Sequence, residues 1–221
     1  MKNRIITISR EFGSGGRTIG KQAAEKLGIP CYDAELIQKL AEESGFSESY
    51  IKEAGEYVPH GFLSFAFSDR SQGPTNEDVL WDLQYKVITE LAEKGPCVIV
   101  GRCADYILRE KADCLKVFIH ADMAFRAERI VKVYGEREQS PEQRLRDKDK
   151  RRAAYHRFYT DMKWGHAQNY HILAFRAQHV GKGDHTDAIL PIRHKHGGLS
   201  LGAQLLQYGS YGSARGHPVF P

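Results

Sequence analysis

One run near the N-terminus restricts the fold more than any other part of the chain: Ile5-Ile6-Thr7-Ile8-Ser9-Arg10-Glu11-Phe12-Gly13-Ser14-Gly15-Gly16-Arg17-Thr18-Ile19-Gly20, continuing through Lys21 to Leu27. Ile5, Ile6 and Ile8 are apolar and β-branched, as a buried strand requires, and three glycines follow within four residues. Ile19, Ala23, Ala24 and Leu27 then recur at helical spacing, and Gly28 is the stop. A strand, glycine loop and helix in this order leave backbone N–H groups unpaired at a helix N-terminus. The helix dipole adds partial positive charge there, so the loop can hold phosphate.

Two phosphate-binding patterns compete for the loop. The P-loop pattern ends in Gly-Lys followed by Ser or Thr, and Gly16-Arg17-Thr18 supplies that ending with arginine in the lysine position. Thr18 then stands where the pattern ligates Mg²⁺, and Arg17 where it reaches the β- and γ-phosphates of ATP. The opening glycine of the pattern falls on Glu11. The dinucleotide fingerprint, Gly-x-Gly-x-x-Gly with an acid further on, is met by Gly13, Gly15 and Asp33 but has Thr18 at its third glycine. It would make the chain an NAD-binding oxidoreductase. Glycine-rich turns between strand and helix also occur without any ligand.

At 221 residues the chain suits one main domain with insertions. Its 41% hydrophobic and 27% charged residues are ordinary for a globular protein. A net charge of +4 fits a small anionic substrate and is too mild and scattered to argue for nucleic acid. Cys31, Cys97, Cys103 and Cys114 form no metal-ligand spacing and read as free thiols. No apolar segment has the length of a membrane span or the form of a signal peptide, so the expectation is a cytoplasmic protein with no membrane partner. The oligomeric state stays open.

Further along, residues 34–44 carry an apolar helical face, a short helix is expected over 47–57, and 59–75 reads as a flap with Phe62, Phe65 and Phe67. A helix is expected over 76–94, then a strand Cys97-Val98-Ile99-Val100 closed by Gly101-Arg102, a helix over 104–109, a strand over 115–120 and a helix over 122–134. That alternation implies a parallel sheet with helices on both faces. Ligands of such sheets bind beyond the carboxyl ends of the strands, where Gly13 to Thr18, Asp33, Arg102 and His120 would collect. Residues 136–163 are rich in arginine interleaved with acids. Most of these charges suit a solvated helix, yet an arginine-bearing helical hairpin is also what a phosphoryl-transfer lid needs. Arg152 is the first candidate within it, followed by Arg144 and Arg157.

Taken together, Ile8 to Gly20, Tyr32-Asp33, Val98-Ile99-Val100-Gly101-Arg102 and Asp149-Lys150-Arg151-Arg152-Ala153-Ala154-Tyr155 resemble the cytidylate kinase-like family of the P-loop nucleoside monophosphate kinase group. The resemblance runs from Met1 to about Ile172. It implies a three-layer P-loop NTPase fold, a parallel sheet flanked by helices, with an NMP-binding segment over 33–75 and a lid over 136–163. It implies transfer of the ATP γ-phosphoryl group to CMP or dCMP with Mg²⁺. Carried over by position, Gly13, Ser14, Gly15, Gly16, Arg17 and Thr18 cradle ATP phosphates, Thr18 faces the metal, Asp33 and Arg102 bind the acceptor nucleotide, and Arg17 and Arg152 serve catalysis. Cys103 stands where better characterised cytidylate kinases have aspartate, and His120 replaces the aspartate that ends their next strand. A module that binds or senses ATP without turnover is the alternative from another class.

Beyond Ile172 strand and helix patterning fades, so residues 173–221 are expected to form an atypical, poorly folded tail. A shift of reading frame near Ile172 or Leu173 would account for it, and DNA sequencing across that codon tests the idea.

Overall fold

The structure, a computed structural model, describes residues 4–33, 36, 39, 42, 43, 45, 47, 76–111, 113–178 and 187–194. Most of the helices expected over 34–44 and 47–57, the flap at 59–75 and residues 195–221 therefore lie outside the described residues.

The sheet is built on β1 (Arg4–Arg10), whose Ile5, Thr7, Ile8 and Ser9 are all buried. Consecutive buried residues mean that both faces of the strand are covered, the condition of a central parallel strand. β1 lies between β3 (Cys97–Val100) and β4 (Asp113–Ala121), parallel to both, with Ile5 opposite Cys97 and Cys114. β2 (Cys31–Tyr32) pairs outside β3, and β5 (Ile172–Gln178) pairs parallel outside β4. β6 (Asp187–His194) closes that side antiparallel to β5, giving the order β2-β3-β1-β4-β5-β6. The fold thus continues past Ile172 as two strands. Pro191 falls on this edge strand, beside the register shift at Leu173 and Ala174, where a missing N–H is tolerated.

Helices cover both faces. α1 (Gly16–Leu27) packs Ala24 against Ile8, Val98, Val100 and Ile119, while α2 (Asn76–Lys94) packs Val87, Ile88 and Leu91 against Ile5, Cys97 and Ile99 on the other face. α1 comes so close that a Cβ on Gly20 would stand 2.9 Å from Val100 Cγ2. The short α3 (Ala104–Ile107) follows β3 directly.

α4 (Met123–Tyr134) and α5 (Pro141–Thr160) form an antiparallel pair beside the glycine loop, burying Ala127, Ile130 and Leu145 against Phe12. The expected hairpin within 136–163 is thus a single helix paired with the one before it. Its start is marked by Ser140, whose hydroxyl accepts the Gln143 N–H, and by Pro141 at the first helical position, where no donor is needed. Its far end is anchored by His156, buried with Nε2 3.4 Å from Asp105 Oδ2 of α3, and by Tyr159, stacked on Trp81 of α2 at 4.2 Å. No helix among the described residues is long and apolar enough to cross a membrane.

Candidate active site

The glycine loop lies at the carboxyl end of the central strand. Gly13 (φ 81°) and Gly15 (φ 83°) are both left-handed, a conformation open to glycine at little cost. Gly15 precedes α1 without any side-chain cap, and the first helical bond runs from Ile19 N–H to Gly15 O at 3.0 Å. The first-turn N–H groups of Gly16, Arg17 and Thr18 therefore point out of the helix, as an anion-binding loop requires. Neighbours leave no room for a side chain at either glycine. A Cβ on Gly13 would stand 2.9 Å from Ile130 Cγ2, and one on Gly15 would collide with the Arg176 guanidinium.

Glu11, where the P-loop pattern has glycine, holds the near end of this loop. Its Oε2 accepts the Ala121 N–H at 3.1 Å and lies 3.6 Å from Arg126 Nε. Arg126, 5% exposed, donates from Nη1 to Asp149 Oδ2 at 2.5 Å and to Phe12 O at 3.3 Å. Asp149 Oδ1 in turn accepts the Phe12 N–H at 2.7 Å. Burial raises the carboxyl pKa values of Glu11 and Asp149 above their ordinary range, with Arg126 and backbone donors opposing it.

Beyond the loop three arginines and one carboxylate gather around Arg10. Arg17 is half exposed and grips buried Asp33 with both arms of its fork, Nη2 to Oδ1 at 3.1 Å and Nε to Oδ2. Burial alone would lower the Arg17 pKa, but the Asp33 carboxylate raises it. Arg10 lies among Arg152, Asp33, Arg17 and Arg102, its stem over Gly16 and its guanidinium over Gly101. Burial and the Arg152 charge, offset in part by Asp33, push its pKa down to about 9, so it stays cationic at neutral pH. Arg102 follows β3 in a run of three left-handed residues, Gly101, Arg102 and Cys103. A non-glycine residue at φ 56° costs energy and persists only where its surroundings hold it. Here the buried Gln84 amide donates to Arg102 O at 3.0 Å and its oxygen accepts the Tyr155 hydroxyl. Burial pushes the Cys103 thiol pKa up, which keeps it neutral.

A second pair of arginines flanks the other side of the loop. Arg129 donates to Thr18 Oγ1 at 3.1 Å, and Arg176, from β5, packs against Gly15. Burial and Arg129 push the Arg176 pKa down to about 10.

The structure thus brings together Gly13 to Thr18, Asp33, Arg102 and Arg152. It does not add His120, whose ring packs against Phe175 at 5.2 Å and whose buried Nε2 has no hydrogen-bond partner among the described residues. Arg144 is buried and donates to Gly135 O, fastening the turn between α4 and α5, and Arg157 is exposed. Arg10, Gln84, Arg126, Arg129, Asp149 and Arg176 were not singled out as site residues from sequence. Arg10 carried a signal, as the last residue of the strand that feeds the glycine loop.

The strand order also separates the two phosphate-binding patterns. In the dinucleotide fold the first strand has the second beside it, in the order 3-2-1-4-5-6. Here β3 lies between β1 and β2. The acid that would bind a ribose, Asp33, is instead held by Arg17.

The model of the cytidylate kinase-like family matches residues 5–174. A cytidylate kinase of Archaeoglobus fulgidus is 34% identical over 159 residues, 70% of this chain and 76% of that protein. A cytidylate kinase of Methanothrix thermoacetophila is 32% identical over 129 residues, covering 58% of this chain and 62% of its own length, under two thirds. Among solved structures, an uncharacterized protein from Eubacterium ventriosum superimposes with a TM-score of 0.57 at 30% identity, over 81% of this chain and 89% of that one.

Proposed function

From membership of the cytidylate kinase-like family, to which this chain belongs, we propose that it transfers the γ-phosphoryl group of ATP to a pyrimidine nucleoside monophosphate, CMP or dCMP, yielding ADP and the diphosphate. One observation carries the reading: Arg17, Arg102 and Arg152 surround Arg10 beside the glycine loop, with the Asp33 carboxylate among them and held by Arg17. Phosphoryl transfer asks a protein for positioning and charge neutralisation more than for covalent chemistry, and this arrangement offers both.

In this reading the N–H groups of residues 13 to 18 receive the ATP phosphates. Arg102, held left-handed by Gln84, presents its guanidinium to the acceptor phosphate. Arg152 reaches over from α5 to the charge that spreads on the transferred oxygens. Asp33 faces the acceptor nucleotide and keeps Arg17 oriented. Mg²⁺ needs few protein ligands when phosphates and waters supply the rest. The donor set fits that demand, because Thr18 Oγ1 stands in the first turn of α1 and, while accepting from Arg129, keeps a second lone pair. When bound there, Mg²⁺ supplies neutralisation of phosphate charge.

One feature favours a second reading, an ATP-binding module without turnover: Arg17 commits Nη2 and Nε to Asp33. The NAD-binding reading is disfavoured by the strand order. ADP release from Mg-ATP by the purified chain, run side by side with CMP, dCMP, UMP, AMP and no acceptor, tests the kinase against the module. Release stimulated by CMP or dCMP and lost in Arg152→Ala supports the kinase. ATP binding by calorimetry with no release under any acceptor supports the module.

A further inference from the structure

Asp149 and Arg152 stand one turn apart on α5, on the same face of the helix, and both end on the backbone that enters the glycine loop. Asp149 Oδ1 accepts the Phe12 N–H at 2.7 Å, and Arg152 Nη1 donates to Arg10 O at 3.2 Å. Residue 11 lies between these two grips and is itself fastened, its N–H donating to Ile119 O at 3.0 Å and its carboxylate accepting from Ala121. Arg126 completes the frame by reaching both Asp149 Oδ2 and Phe12 O. The Arg152 guanidinium carbon is 5.5 Å from the centre of the Phe12 ring, so the residue that Asp149 fixes is also the surface on which Arg152 rests.

We infer that Asp149 is a positioning residue for Arg152, an inference that rests on the kinase reading above. Its carboxylate sets the rotation and height of α5 over the loop, and the Phe12 N–H, the first donor after Glu11, is committed to the helix and not to a phosphate. The lid helix and the phosphate cradle are therefore one mechanical unit, and Arg152 is delivered beside Arg10 by the contact that Asp149 makes with the loop backbone. A carboxylate that served only to offset Arg126 would have no need of the Phe12 N–H.

The test is a double-mutant cycle on four proteins: wild type, Asp149→Asn, Arg152→Ala and the double variant. Asparagine keeps the size of the side chain but offers the Phe12 N–H a weaker, neutral acceptor and sets an NH2 donor against Arg126, so the grip on the loop backbone loosens. The expected result is a kcat lowered roughly 10-fold by Asp149→Asn with KM for ATP within about 2-fold. In the Arg152→Ala background the same change should lower kcat by less than about 2-fold. Effects that multiply independently would overturn the inference. Tryptophan emission, reporting the Trp81–Tyr159 stack at the far end of α5, checks that the helix stays docked. Asp149→Glu, which keeps the charge, replaces Asp149→Asn in the cycle if the latter does not fold. Should wild type show no turnover, the kinase reading fails by itself, and the cycle is read instead by hydrogen exchange of the peptide carrying Phe12. Faster exchange in each single variant with no further increase in the double supports the coupling, and independent increments refute it.

Discussion

Arg126→Met removes the charge at the centre of the frame while keeping much of the buried stem. The residue is 5% exposed and holds Asp149 Oδ2 at 2.5 Å and Glu11 Oε2 at 3.6 Å. Removing one partner of a buried ion pair costs about 3–5 kcal/mol, because the other charge is left uncompensated. The two carboxylate side chains keep 26% and 18% exposure and have backbone donors of their own, which places the cost at the low end. About 3 kcal/mol in a domain of this size lowers Tm by roughly 6–12 °C. The pH dependence distinguishes charge from packing. Burial already raises both carboxyl pKa values in the folded state, and losing Arg126 raises them further. A carboxyl with a raised folded pKa binds more protons folded than unfolded. Its contribution to stability therefore falls as pH rises from the unfolded value, ~4, through the folded one. The Tm deficit of Arg126→Met should accordingly be large at pH 7.5 and shrink at pH 5, measured by calorimetry on both proteins at both values. An equal deficit at the two pH values would show that lost packing, not stranded charge, carries the effect.

Arg17→Ala should lower kcat/KM for phosphoryl transfer by roughly 10²–10³, as the loss of a preorganised cationic donor does. Arg17→Lys should recover only part of it, since lysine keeps the charge but not the fork that matches Asp33; steady-state kinetics of the three proteins checks this. Gly15→Ala places a Cβ against Arg176 at φ 83°. The backbone strain alone, about 1–2 kcal/mol, should lower Tm by about 2–8 °C, and calorimetry with inorganic tripolyphosphate should show its binding weakened. Gln84→Leu removes the donor to Arg102 O and should raise KM for the acceptor nucleotide roughly 10-fold, the value of one buried hydrogen bond, with KM for ATP unchanged.

The strands, the glycine loop and the convergence of Asp33, Arg102 and Arg17 were readable because each depends on local pattern: a continuous apolar run, a glycine where the backbone must turn, an arginine at a strand end. The buried side of α5 was not. Along residues 141–160 charges of both signs alternate so densely that no apolar stripe marks the inner face, and Asp149 differs from Asp147 only in what the fold sets opposite it. Arg126 was hidden in the same way, because a buried cation shows only through its partners, which come from residues 11 and 149. Arg176 lay where patterning had faded, and Pro191 spoils the reading of β6 as a strand although an edge position accepts it. Arg10 was legible as a strand end but not as the cation that shares a site with Arg152, since that depends on β3 and α5 closing around it.

The central place of β1 bears on how the chain folds. Its neighbours on both sides, residues 97–100 and 113–119, are made about a hundred residues later. At about 5–20 residues per second, the interval between synthesis of β1 and completion of β4 is roughly 5–20 s. Throughout it Ile5, Ile6 and Ile8 have no sheet to enter. Contacts this distant in sequence slow folding and leave an apolar strand open to wrong pairing, so the yield of native protein should depend on chaperone capacity more steeply than its final stability would indicate.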